Sequence, residues 1–265
     1  MGDVTQSAAL ARLEPILADP TRAGLFCDFD GTLSEIIDQP DLARPTDGSA
    51  AMLEDLARTI GLVGVLSGRP VAFLEAFFPG AVLLAGLYGL ETVTAGVRRD
   101  HPLGGAWREV IDDVTASSIA HGPVGMHVEE KGLSLTLHFR THPELEAEVR
   151  AFAEKQAARS GLQVRGARMS YELHPPIAVD KGTALLELSK DLSTVCFIGD
   201  DVGDLPAFDA LDDLAARSVS VVRVAVRSTE ESSELVERAD ILVDGPPGVH
   251  ALLARLRDAL EPDLT

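Results

Sequence analysis

Apolar residues gather in short runs at Ala23–Cys27, Leu62–Leu66, Ala81–Ala85, Val195–Ile198, Val221–Val226 and Ile241–Val243. Runs of this kind, without polar alternation, predict strands buried on both faces, as in a parallel sheet covered by helices. Most are separated by stretches with helical spacing. Met52, Leu53, Leu56 and Ile60 mark one helix face, and Phe73, Leu74, Phe77 and Phe78 mark another that Pro79-Gly80 brings to a stop. The aromatic cluster Phe73–Phe78 reads as core.

Between residues 104 and 174 the pattern changes. Gly104–His121 predicts a helix, two strands turn at Glu130-Lys131-Gly132, Pro143–Ser160 predicts a second helix opened by proline, and a last pair of strands surrounds Gly166. Helix, hairpin, helix, hairpin is the order of an α+β unit with helices on one face of an antiparallel sheet. The segment 104–174 is therefore expected to be a domain inserted into a core made of 1–103 and 175–265.

The insert's strands alternate. Val124, Met126 and Val128 oppose His127 and Glu129; Leu133, Leu135, Leu137 and Phe139 oppose Ser134, Thr136, His138 and Arg140; Met169, Tyr171 and Leu173 oppose Arg168, Ser170, Glu172 and His174. One face should rest on the insert helices. The other carries acids, bases, hydroxyls and imidazoles, which suits either plain solvation or a ligand rich in hydroxyl groups.

The chain has 265 residues, 46% of them hydrophobic and 25% charged, enough to bury a substantial core. Lys and Arg total 23 against 42 Asp and Glu, a net charge of -19 that repels nucleic acid and anionic lipid. Neither is expected as a partner. No stretch of 18 apolar residues is present and Met1–Pro20 reads as a short lead-in helix, so a cytoplasmic protein is expected, a monomer or small homo-oligomer. Cys27 and Cys196 sit in apolar runs and read as reduced, structural thiols.

Against that acidic background, one anionic ligand can be met only where the field is locally reversed. The run Phe26-Cys27-Asp28-Phe29-Asp30-Gly31-Thr32-Leu33 ends an apolar strand in two acids and a glycine turn, and Gly199-Asp200-Asp201-Val202-Gly203-Asp204 does the same after Val195–Ile198. Ligands sit beyond the carboxyl ends of parallel strands, so both groups of acids belong at one edge of the sheet. That concentration of carboxylates calls for a cation, and hard oxygen ligands favour magnesium. Any single Asp-x-Asp is equally at home in a solvated turn.

Asp28-x-Asp30-Gly31-Thr32, Ser67-Gly68-Arg69, Lys181-Gly182 and Gly199-Asp200-Asp201, in that order, resemble the four motifs of the haloacid dehalogenase (HAD) superfamily. The resemblance implies an α/β fold, a HAD-type Rossmann-like core with a parallel sheet plus an inserted α+β cap. Asp28 would be the nucleophile that forms an aspartyl phosphate, and Asp30 the general acid and then base. Ser67 and Lys181 would hold the phosphoryl oxygens, with Gly31, Thr32, Gly68 and Arg69 lining the phosphate site. Magnesium would be held by Asp28, the Asp30 carbonyl and Asp200, with Asp201 or Asp204 as inner or water-mediated partners. Ser67 could also cap a helix opened by Pro70.

Within that superfamily, Val128-Glu129-Glu130-Lys131, His138-Phe139-Arg140 and Tyr171-Glu172-Leu173 are similar to the cap motifs of trehalose-6-phosphate phosphatases. The similarity implies a sugar phosphate substrate, with Glu129, Lys131, Arg140 and Glu172 binding the sugar. Gly86-Leu87-Tyr88-Gly89-Leu90-Glu91 resembles that family's Gly-x-His-Gly-x-Glu. Three positions depart from it: Tyr88 stands for His, Gly203 for Thr and Leu205 for Glu. These leave open a phosphatase for another glycoside or polyol phosphate, such as glucosylglycerol phosphate or an aminocyclitol disaccharide phosphate. A phosphotransferase would keep the aspartyl phosphate and exclude water, and a mere phospho-acceptor would have no use for Asp30, Ser67, Lys181 and a polar cap.

Overall fold

The computed structural model describes residues 9–261 apart from 38, 79, 168 and 229–231. Pro79, Arg168 and the start of the lead-in helix lie outside the described residues; the lead-in is helical over Glu14–Ala18. In chain order the strands are β1 (Ala23–Cys27), β2 (Leu62–Leu66), β3 (Leu83–Gly86), β4 (Glu91–Thr94), β5 (Val97–Asp100), β6 (His127–Glu130), β7 (Leu135–His138), β8 (Gln163–Ala167), β9 (Ser170–His174), β10 (Thr194–Gly199), β11 (Ser220–Arg227) and β12 (Ile241–Asp244). The chain divides into two compact units, one of residues up to Arg98 and from Val179, the other Arg99–Ala178. The second is a few residues wider at each end than the segment marked by the change of pattern.

In the first unit the strand order is β12-β11-β10-β1-β2-β3-β4-β5. Pairing is parallel from β12 through β3, and β4 then runs antiparallel to β3. The six apolar runs all became these parallel strands: β1, β3 and β10 are buried along their whole length, while β12 at the sheet edge keeps Leu242 exposed. In β1, Leu25 and Cys27 enter one apolar cluster with Val65, Ile198 and Val224, while Phe26 enters another with Phe197, Phe208 and Leu185. Burying each such side chain contributes roughly 1.5–3 kcal/mol, so an all-apolar central strand is what two covered faces require. The β4–β5 extension was not predicted. Its turn passes through Ala95 and Gly96, both at positive φ, and β5 is exposed along its length, leaving no apolar signal to read.

Phe29, Phe73, Phe77 and Phe78 form the aromatic part of the core: Phe29 meets Phe73 edge to face at 5.5 Å and stacks on Phe77 at 6.2 Å. The helix there is short, Val71–Leu74.

The second unit is a four-stranded antiparallel sheet, β6-β7-β9-β8, with helices Arg108–His121 and Glu146–Ser160. Leu135, Leu137 and Leu173 from the strands meet Ile111, Val114, Val149 and Ala153 from the helices. The alternation therefore sorts as read, with two corrections. Val124 precedes β6 and is 97% exposed, beyond the reach of the sheet's apolar face. Gly166 lies inside β8, paired with Tyr171, and does not make the turn.

Candidate active site

Adjacent parallel strands end level and deliver the polar groups. Cys27 pairs with Ile198, so Asp28 after β1 and Asp200 just past β10 emerge side by side, and Asp28 N–H donates to Ile198 O at 2.9 Å. Ser67 follows β2 on one flank of Asp28, and Ser228 follows β11 on the other flank of Asp200. Gly31 has φ +80°, and a methyl group there would stand 2.1 Å from Asp200 Oδ2. Only glycine lets the turn after Asp30 pass this close to a carboxylate.

Lys181 reaches the site from the first turn of helix Lys181–Leu188. That turn is fixed by a capping box, with Thr183 N–H donating to Asp180 Oδ1 at 2.7 Å and Asp180 N–H to Thr183 Oγ1 at 2.9 Å. A cation at a helix N-terminus opposes the helix dipole. Here it is compensated by carboxylates: Lys181 Nζ lies 2.6 Å from Asp28 Oδ1 and 2.6 Å from Asp204 Oδ1. Asp204 Oδ2 accepts the backbone N–H groups of Asp200 at 2.9 Å and Asp201 at 3.3 Å.

Lys181 is held protonated well above its ordinary range. Burial works against that charge, but Asp204 and Asp28 outweigh it. One ammonium does not balance the acids around it. Asp200 is pushed up to about 8, first by burial and then by Asp204 and Asp201. Asp28 is also raised, by burial foremost, with Lys181 pulling the other way, and Asp201 is raised by burial and Asp204.

A divalent cation fits this imbalance. Asp28, Asp200 and Asp204 can each offer an oxygen, all within 4.8 Å of one another. Asp204 already serves Lys181 and two amides, which leaves Asp28 and Asp200 the freer donors. Asp200 is steadied by Ser228 Oγ–H at 3.3 Å and Thr32 Oγ–H at 3.5 Å. Asp201 Oδ1 is turned to Gly203 N–H at 2.8 Å, and the Asp30 side chain is turned to Arg69.

Ser67 does not cap a helix. Its hydroxyl oxygen accepts Arg69 N–H at 3.1 Å, Pro70 is the residue before helix Val71–Leu74, and the Val71 N–H is taken by the buried Glu91 carboxylate at 3.0 Å. Ser228 and Glu91 are the two participants that the motifs did not single out for these roles. Ser228 could have been found by asking which hydroxyls directly follow an apolar strand.

In the second unit the strand register aligns Glu129 with Thr136, Thr136 with Glu172 and Glu172 with Arg165 in one row across β6, β7, β9 and β8. Directly paired residues share a face, so this row belongs to the polar side. Glu129 Oε2 pairs with His138 Nε2 at 2.8 Å and Lys131 Nζ at 3.7 Å. Glu172 accepts Ser134 Oγ–H at 2.7 Å and lies 3.7 Å from Arg165. Arg140, half-buried, follows β7.

A family model described as Trehalose-phosphatase matches residues 26–240, most of the chain. This chain belongs to the trehalose-phosphatase family. The trehalose-phosphate phosphatase of Mycobacterium ulcerans (strain Agy99) is 32% identical over 253 residues, which is 90% of this chain and 62% of that protein. The chain thus spans less than two thirds of that relative. Among solved structures, a trehalose-6-phosphate phosphatase related protein superposes with a TM-score of 0.76 at 21% identity, over 88% of this chain and 96% of its own. The C-terminal domain of a C. albicans trehalose-6-phosphate phosphatase gives 0.75 at 22% identity, over 95% and 96%. At these identities the likeness speaks to the fold: the core is HAD-like, as read from the motifs.

Of the three departures from the family pattern, Tyr88 touches the site. Leu87 and Tyr88 have φ of 49° and 60°, a left-handed conformation uncommon for such side chains. The turn is tied down by Leu87 N–H to Arg69 O at 2.9 Å and Tyr88 N–H to Ser67 O at 3.0 Å. A methyl group on Gly68 would stand 2.7 Å from the Tyr88 phenol oxygen. The phenol therefore lies against the turn that carries Ser67.

Proposed function

We propose that the chain is a magnesium-dependent phosphatase that hydrolyses trehalose 6-phosphate to trehalose and phosphate through an aspartyl phosphate on Asp28. The observation that carries the reading is Asp28 itself, a buried carboxylate at a strand end, 2.6 Å from Lys181 and beside Asp200. Membership of the family supplies the substrate class.

An Asp28 oxygen attacks phosphorus while the bond from phosphorus to the sugar oxygen breaks, and the proton on Asp30 goes to that oxygen. Asp30, now a carboxylate, takes a proton from water as the water oxygen attacks the aspartyl phosphate, and phosphate leaves as Asp28 is restored. The Ser67 hydroxyl and Lys181 ammonium hold the phosphoryl oxygens throughout. Magnesium bound by Asp28, the Asp30 carbonyl and Asp200 would offset the charge of the phosphoryl group.

The unit Arg99–Ala178 is read as the cap that selects the sugar. Its polar row around Glu129 and Glu172, with Lys131 and Arg140, offers donors and acceptors of the kind that several hydroxyl groups require. The two cysteines are buried and unpaired, in keeping with a reducing cytoplasm, and no helix among the described residues is long and apolar enough to cross a membrane.

Tyr88 favours a second reading in the same class, a phosphatase for another glycoside or polyol phosphate, because a phenol in place of imidazole changes the wall beside Ser67. Phosphate release from trehalose 6-phosphate, glucosylglycerol phosphate and an aminocyclitol disaccharide phosphate, with and without magnesium, decides between them. Failure to release phosphate from any of the three would end both readings.

A further inference from the structure

We propose that Arg69 is a positioning residue for the proton carrier, setting Asp30 with its side chain and Ser67 with its backbone. The inference rests on the phosphatase reading above. The Arg69 Nε–H donates to Asp30 Oδ2 at 2.8 Å and its Nη2–H to Asp30 Oδ1 at 2.7 Å, a two-pronged fork that fixes both the place and the plane of the carboxyl group.

The fork is itself braced. Arg69 Nη1–H donates to Pro40 O at 2.9 Å, and the guanidinium lies 4.7 Å from the centre of the Phe73 ring, which meets Phe29 between the two aspartates. The Arg69 side chain is 9% exposed and that of Asp30 is 41% exposed, so the clamp is buried while the clamped group keeps an open side for a leaving group or a water.

The same residue acts on Ser67. Its N–H donates to Ser67 Oγ at 3.1 Å, and with that acceptor position filled the serine is free to point its own hydrogen elsewhere, as a donor to a phosphoryl oxygen. One residue in the Ser67-Gly68-Arg69 turn thus orients both the proton carrier and the phosphate donor. The turn is in turn held by the backbone of Leu87 and Tyr88.

The consequence is a leaving-group signature. A sugar alkoxide needs the proton from Asp30, whereas p-nitrophenolate leaves without one, and kcat/KM reports the step that expels it. In Arg69→Gln, kcat/KM for the sugar phosphate should fall about 30- to 100-fold, a share of what a general acid supplies. For p-nitrophenyl phosphate, kcat/KM should fall only about threefold, while kcat and KM fall together, because hydrolysis of the aspartyl phosphate still uses Asp30 as base.

Arg69→Lys, which keeps the charge and loses the fork, should recover part of the sugar phosphate activity. In the double variant Arg69→Gln/Asp30→Asn, the sugar phosphate should be turned over no more slowly than by Asp30→Asn alone. Equal losses of kcat/KM for both substrates in Arg69→Gln, or losses that multiply in the double variant, would overturn the assignment of Arg69. Asp30→Asn run beside it separates the two levels: if Asp30→Asn itself lacks the leaving-group signature, the reading of Asp30 fails and the role of Arg69 with it. If Asp30→Asn shows the signature and Arg69→Gln does not, only the inference about Arg69 fails.

Discussion

Lys181 Nζ stands 2.6 Å from Asp204 Oδ1, and Asp204 is fully buried, its other oxygen accepting two backbone N–H groups. Asp204 thus ties the helix that begins at Lys181 to the loop that carries Asp200. Asp204→Asn removes half of a buried ion pair and puts an NH2 group where only acceptors fit. The expected cost is about 3–5 kcal/mol of stability, read by denaturant titration, together with turnover near background. A stability loss under about 1 kcal/mol would show that the pair is not a structural tie.

Asp28 should behave in the opposite sense. Burial raises its carboxyl well above the usual range, so the charged form is a liability to the metal-free fold. Asp28→Asn is expected to abolish phosphate release, since an amide is a poor nucleophile, while leaving the melting temperature unchanged or higher in chelator. Turnover near the wild-type rate would remove Asp28 from the mechanism.

The acids also set a pH dependence. Asp200, Asp28 and Asp201 have folded-state values raised above those of the unfolded chain, so their contribution to stability is complete below about pH 4 and is lost as pH rises through the folded value, about 8 for Asp200. Lys181 is raised from a value already above that window and changes nothing within it. In chelator, the melting temperature of wild type should therefore fall relative to Asp200→Asn between pH 5 and pH 8. Added magnesium should raise it more at pH 8 than at pH 6, with protons released on binding. Parallel melting curves for the two proteins would refute the assignment.

How far the sequence reaches is visible in these same residues. Asp28 and Ser67 are legible because each directly follows an apolar run, and Asp200 because it lies one glycine beyond another; a parallel sheet turns such positions into an edge where ligands bind. The strands were legible because two covered faces leave no room for polar alternation. Arg69 and Asp30 each stand in a motif, yet nothing in the sequence marks them as partners, because they are 39 positions apart and the fork forms only once β1 and β2 lie side by side. The β4–β5 extension escaped because β4 buries only Glu91 and Val93 and β5 is exposed along its length, too little for a burial signal. The additional capping role open to Ser67 is not taken up, because Glu91, 20 residues after Val71, accepts the Val71 N–H.

The proposed choice of sugar rests on the row Glu129, Thr136, Glu172 and on Lys131. Glu129 and Lys131 are each 11% exposed at the side chain, bound to neighbours of the same sheet and still partly open. If they hold sugar hydroxyls, their binding energy acts on the part of the substrate that does not react and serves to position the phosphate. Glu129→Ala and Lys131→Ala should each lower kcat/KM for trehalose 6-phosphate by about 1.5–3 kcal/mol, the range for a hydrogen bond to a charged group. Glu172 is buried and also holds Ser134, so Glu172→Gln, which preserves its shape, is the fairer test at that position. p-Nitrophenyl phosphate has no sugar, and its hydrolysis should change less than about twofold in all three variants. Asp28→Asn should lose both substrates, which calibrates the comparison. Equal losses on both substrates would mean that these residues hold the sheet together and nothing more. Unchanged kinetics on both would assign the row to solvation and withdraw the support it lends to a disaccharide phosphate.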